Sequence, residues 1–125
     1  ADLAENYVGD KSYPAGTVVM FGGSAEVTMA DTETSAVAGI VSTNPSYLMN
    51  ATQTGNHVVA VALVGRVPCQ VVGTFKKGDR LVASDITGVA TSLDMSKYQP
   101  GSIIGKALEN FDGSAGVIEV VIGRF

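Results

Sequence analysis

Side chains able to do chemistry are few and scattered in this 125-residue chain. His57 is the single histidine and Cys69 the single cysteine, so they build neither a histidine-rich metal site nor a disulfide nor a cysteine-based metal cluster. Cys69, set between Pro68 and Gln70-Val71-Val72, has no basic neighbour to lower its pKa and reads as a small buried apolar residue. Asp2 and Glu5, in the segment DLAE, have the chemistry of a paired acid and base. They stand near a terminus, however, where solvation is the default. His57 could be grouped with many Ser and Asp residues, but no nucleophile elbow or recognised triad spacing supports such a group. Asp79, Asp85 and Asp94 lack calcium-loop spacing, and the glycine pairs do not lie between a strand and a helix, as a phosphate cradle requires. The expectation is a binding or structural role: no enzyme, no catalytic residue, no metal and no cofactor.

The elements that would carry these residues are strands. Runs rich in Val, Ile and Thr occur at 17–21, 25–29, 36–42, 58–66, 70–72, 80–83, 102–108 and 117–122, bounded by Gly, Asn, Asp or Pro. No helix-length window has a 3.6-residue apolar stripe, although a short helical turn fits near 46–50 or 92–98. The two longest runs, VAVALVGRV (59–67) and VIEVVIGRF (117–125), are nearly continuous in apolar character, which predicts cover on both faces. Glu119 breaks the second run and marks the face of Val117 and Val121 as the wetter one.

Those two runs also say nearly the same thing, and other landmarks recur with them in the same order. Tyr13-Pro-Ala-Gly16 is answered by Phe75-Lys-Lys-Gly78, and the Gly22-Gly23 turn by Gly88. Val37-Ala-Gly39-Ile-Val is answered by Ile103-Ile-Gly105-Lys-Ala, and Gly65-Arg66 by Gly123-Arg124. The chain therefore reads as one domain, 1–125, all-β, with internal repeats at about 13–67 and 75–125. Two copies are too few for a solenoid, so the expected architecture is a compact pseudo-two-fold β barrel or β-clip. Gly16, Gly39, Gly65, Gly78, Gly105 and Gly123 are its structural anchors. Arg66 and Arg124 are equivalent strand-end anchors expected to pair with carboxylates or carbonyls. The halves differ most at NPSYLMNATQTGN (44–56), where Tyr47, Leu48 and Met49 place apolar side chains on a loop; these are the expected oligomer contacts.

Composition and charge narrow the partners. Hydrophobic residues are 46% and charged residues 16% of the chain, which leaves little polar material to cover it and raises the expectation of a homo-oligomer. A net charge of −4 argues against nucleic acid. No apolar run approaches the roughly 20 residues of a membrane helix, so membrane insertion is not expected. The start at Ala1 reads as a processing site or a cut from something longer.

Five blocks in order, DLAENYVGDKSYPAGTVVMFGG, AGIVSTNPSYLMN, ALVGRVPCQVVG, KKGDRLVAS and IIGKALEN…GVIEVVIGRF, together resemble the C-terminal domain of virion proteins of tailed bacteriophages. The likeness is to tail-fibre and other appendage proteins of T4-like marine phages, and it spans essentially the whole chain. The block GIVSTNP is also similar to the intramolecular-chaperone domain of phage neck appendages, a peptidase G2-like family. The first resemblance implies a homotrimeric module at the end of a fibrous virion protein, made in the host cytoplasm and carried on the extracellular particle beside other virion proteins. The second implies help in trimer assembly followed by self-release, though Ala1 offers no nucleophile for cleavage. A further class is host-surface recognition, in which the loops 31–35 or 50–56 touch a polysaccharide; with 6% aromatics and no Trp, a sugar-stacking platform is thin.

Overall fold

A computed structural model describes all 125 residues, Ala1 to Phe125. The chain is all-β, with ten strands: β1 Asp2–Val8, β2 Val18–Phe21, β3 Val27–Met29, β4 Val37–Val41, β5 Tyr47–Met49, β6 Val58–Phe75, β7 Arg80–Ala83, β8 Ala90–Ser92, β9 Gly105–Ala107 and β10 Phe111–Ile122. Its only helical element is a 3₁₀ turn at Met95–Lys97, capped by the Asp94 side chain, which accepts from Ser96 N–H. The longest strand, β6, runs the length of the molecule. Along it Val59, Val61, Val67, Cys69, Val71 and Phe75 are buried on one alternating phase, while Ala62, on the other phase, is buried in the core shared by the two halves.

Strands β6, β10, β9, β7 and β8 close into a five-stranded barrel, sealed by the parallel pair Val71↔Ala90. The first half runs the same circuit through β1, β6, β4, β2 and β3. It returns to the end of β1 by the parallel bridge Gly9↔Val27 and by Glu26, whose backbone N–H donates to Val8 and whose carboxylate accepts from Val8 N–H. The register repeats with the topology. Val19 pairs with Gly39 and Met29, and Leu81 with Gly105 and Ser92. Gly16 N–H donates to Val41 and Gly78 N–H to Ala107, at 2.9 and 2.8 Å. Ser42 N–H donates to Ala60, and Leu108 N–H to Glu119, at 2.9 and 3.0 Å. The interiors follow: Val19, Val27, Val41, Val59 and Val61 fill the first circuit, and Leu81, Ala90, Ala107, Ile118 and Val120 occupy the matching places in the second. Burying each larger aliphatic side chain contributes about 1.5–3 kcal/mol.

Glycine is required where the two circuits touch. Gly65 leaves room for the backbone of Ala1 and Asp2, and Gly123 for that of Leu63 and Val64; both have positive φ, 115° and 88°. This contact is reciprocal, as a two-fold relation demands. The relation is incomplete elsewhere, because a side chain at Gly16 would meet Pro68 and Gln70 of β6 whereas one at Gly78 would point into open space. Val18, Ala30, Ile40 and Ala62 of the first half join Leu81 and Ile104 of the second in one core cluster.

Four expectations need correction or refinement. The segment at the N-terminus is a paired strand with Asp2 buried, not a solvated tail, because β6 supplies it a partner along seven residues. Of the two places that fit a short helical turn, 92–98 holds one, at Met95–Lys97, whereas 46–50 contains strand β5 instead. The run 58–66 does not stop before Pro68; β6 continues through it. Pro68 faces Glu119, whose N–H donates to the Glu109 carboxylate and whose carbonyl accepts from Leu108, so no ladder bond calls for the donor that proline lacks. Within the single chain β10 is covered on one face only: Ile118, Val120 and Ile122 are buried, while Val117 is 63% exposed on the face that Glu119 marks as the wetter one.

Candidate functional site

Tyr47, Leu48 and Met49 lie parallel to Leu3, Ala4 and Glu5 of β1. The strand is placed by Ser46 N–H donating to Asp2 and is ended by Asn50. That residue adopts φ 56°, a left-handed conformation asparagine tolerates, and its amide donates to the Asn6 carbonyl and to Gln53. β5 pairs with β1 alone, so its outer edge carries unpaired backbone groups, and Tyr47 stands 66% exposed upon it. A second apolar area is a groove of about 360 Å³ on the other half, bordered by Val71, Ile86, Val89, Ala115 and Val117, with Ile86 and Val117 both exposed. A third joins Tyr98, Ile103 and Phe125.

Arg66 and Arg124 do not act as expected. Both are exposed, and neither guanidinium pairs with a carboxylate; the chain's one ion pair joins Lys97 to Glu33 at 3.6 Å. What is held at Arg66 is the backbone, whose N–H donates to the Ala1 carbonyl. Cys69 is fully buried, and burial pushes its thiol up to about 12, which makes it inert near neutral pH.

A cleft of about 320 Å³ opens in the first half between β1, the end of β4 and the start of β6. Asn6, Ser12, Tyr13, Ser42 and Thr43 are its polar lining; Val41, Pro45, Leu48 and Val58 are among its apolar walls. Ser42 Oγ donates to Oδ1 of Asp2 at 3.2 Å, while the other oxygen of that buried carboxylate has no partner. Ser12 Oγ lies 3.2 Å from His57 Nδ1. No carboxylate is bonded to that histidine, so the serine–histidine contact lacks the orienting third group of a triad.

Beside the cleft, Asp10 accepts from the hydroxyls of Tyr13 and, at 2.8 Å, of Thr28. These two hydrogen bonds, Tyr13 first, hold the Asp10 carboxyl below its ordinary pKa, while burial and then the bond to Asp10 raise that of Tyr13. A depressed carboxyl stabilises the fold above the unfolded-chain pKa of Asp, and that contribution is lost as pH falls through the folded value. Replacing Tyr13→Phe is expected to move the Asp10 pKa upward, read by carboxyl-carbon NMR titration. An unchanged midpoint would refute the assignment of the shift to the Tyr13 hydroxyl.

Sequence reasoning singled out Tyr47, Leu48 and Met49 but missed Asn6, Ser12 and Ser42. A signal existed in the repeat, since Ser42 stands where the second half has Leu108. A repeat that begins at Tyr13 does not include β1 or Asn6. Set against known protein families and against curated proteins, the chain matches none.

Proposed function

We propose that this domain is a non-enzymatic assembly module of a tailed-phage virion protein, holding three copies of its chain together at the end of a tail fibre or appendage. The observation that carries the reading is the apolar surface. Phe21, Tyr47, Val58, Val64, Ile86, Met95, Tyr98, Val117 and Phe125 are all at least 39% exposed on a chain with a 16% charged complement. Scattered singly such residues are ordinary, but here several gather in grooves or on a free strand edge, as oligomer contacts do. The blocks shared with phage appendage domains supply the biological setting.

Light scattering after size exclusion at micromolar concentration tests this. The expected mass is three times the chain mass of 12.8 kDa; a single-chain mass at every concentration would overturn it. The variant Tyr47→Asp, which sets a charge on the free edge of β5, is expected to shift the population toward monomer. A trimer indifferent to that change would remove β5 from the contact.

A further inference from the structure

The two halves act as an alignment of the chain with itself, and they part company at the cleft. Asn6 pairs with Ala60 in the first half, as Pro68 pairs with Glu119 in the second. Ser42 and Leu108 make the same backbone bond to those partners. Tyr13 and Phe75 each stand three residues before the turn glycine. So Asn6, Ser42 and Tyr13 occupy positions that the second half gives to Pro68, Leu108 and Phe75. In the second half Phe75 stacks on Phe111 with ring centroids 5.6 Å apart. The first half instead carries the longer 44–56 segment, which adds Pro45 and Leu48 to the cleft wall. Positions that carry apolar side chains in one copy carry hydroxyls and an amide in the other.

Part of this polar lining is engaged internally, Ser12 with His57 and the Tyr13 hydroxyl with Asp10, and part is free. Asn6 is only 8% exposed, its carbonyl is taken by Asn50, and no protein group bonds its side-chain amide. The amide is not sealed from solvent; it opens onto the cleft, where its N–H groups and oxygen are free to bond a ligand. Ser42 donates its proton to Asp2, which leaves its lone pairs to accept from a ligand O–H. The lining holds no Lys, Arg, Asp or Glu, and the carboxylates of Asp2 and Asp10 behind it disfavour an anion. We propose that this cleft binds one unit of an uncharged saccharide. Its hydroxyls meet Asn6, Ser12, Ser42 and Thr43, and its C–H face lies on Val41, Pro45 and Val58. Pockets of this volume, mostly apolar with a few placed polar groups, are the usual form of small-ligand sites.

The test uses the ¹⁵N-labelled full chain, titrated separately with methyl α-D-glucopyranoside, methyl β-D-galactopyranoside and N-acetyl-D-glucosamine. At least one should shift the amide signals of Asn6, Ser42 and Thr43 saturably. Ser42→Leu, which installs the second half's residue, should abolish the shifts. Ser42→Ala removes the hydroxyl without added bulk and should weaken binding by about 2–10-fold, the worth of one hydrogen bond. No saturable shift with any of the three sugars, shifts confined to other parts of the surface, or unchanged affinity in Ser42→Ala would each overturn the proposal. Oligomeric state is read separately: a monomer that binds sugar sinks the assembly reading alone, and a trimer that binds none sinks this one.

Discussion

Gly39→Ala should be among the most damaging single-methyl changes in the chain, lowering stability by about 3 kcal/mol or more, in the range reserved for overpacked or strained core sites. A methyl group at Gly39 would drive into the Ala62 carbonyl oxygen and the Val61 side chain, both on β6. Neither obstacle can swing aside. Ala62 is the partner of Ile40 in the β4–β6 ladder, and Val61 is fully buried in the first interior. Thermal unfolding should show a drop of about 10 °C or more for a domain of this size. Gly105→Ala meets the Val121 carbonyl in the same way and should behave alike. Gly78→Ala is the control: space there is open, and only its φ of 93° opposes a side chain, at about 1–2 kcal/mol. A Gly39→Ala variant as stable as the Gly78→Ala variant would show that β4 does not approach β6 this closely.

The second large effect is expected from Leu81→Ala. Leu81 is fully buried in the five-stranded barrel, and truncating such a leucine costs about 2–5 kcal/mol, the spread depending on how far the cavity collapses. The form of the transition matters as much as its midpoint. β6 contributes its first part to one circuit and its second part to the other, and Leu81 belongs to the same cluster as Val18 and Ile40 of the first half. Melting should therefore stay a single cooperative event shifted to lower temperature, seen alike by a probe in either half. Calorimetry that resolved two transitions, with only the later residues destabilised, would mean that the halves fold as independent units and the shared strand does not couple them.

Local properties of the sequence were enough for the all-β class, because Val, Ile and Thr runs between Gly and Asn signals depend only on near neighbours. They were also enough for the turns at Gly16 and Gly78, whose φ values of 90° and 93° only glycine adopts readily. The order of landmarks such as Gly39 and Gly105 could be read for the same reason: a residue type needed for a close backbone approach leaves a visible mark.

What only the tertiary structure decided are the features made by residues far apart in the chain. DLAENYV has the polar look of a tail, and becomes β1 because residues near 60 offer it an edge to pair with. Pro68 reads as a strand stop, and is tolerated because Leu108 and Glu109 have already taken the backbone groups of the residue it faces. Asn6, Ser12 and Ser42 are unremarked polar residues in the sequence, and form a cleft lining only because β1, β4 and β6 bring them onto one wall. Hydrogen-bonding partners and burial are properties of pairs across the fold, and a single chain read in order holds the members of each pair without saying which belong together.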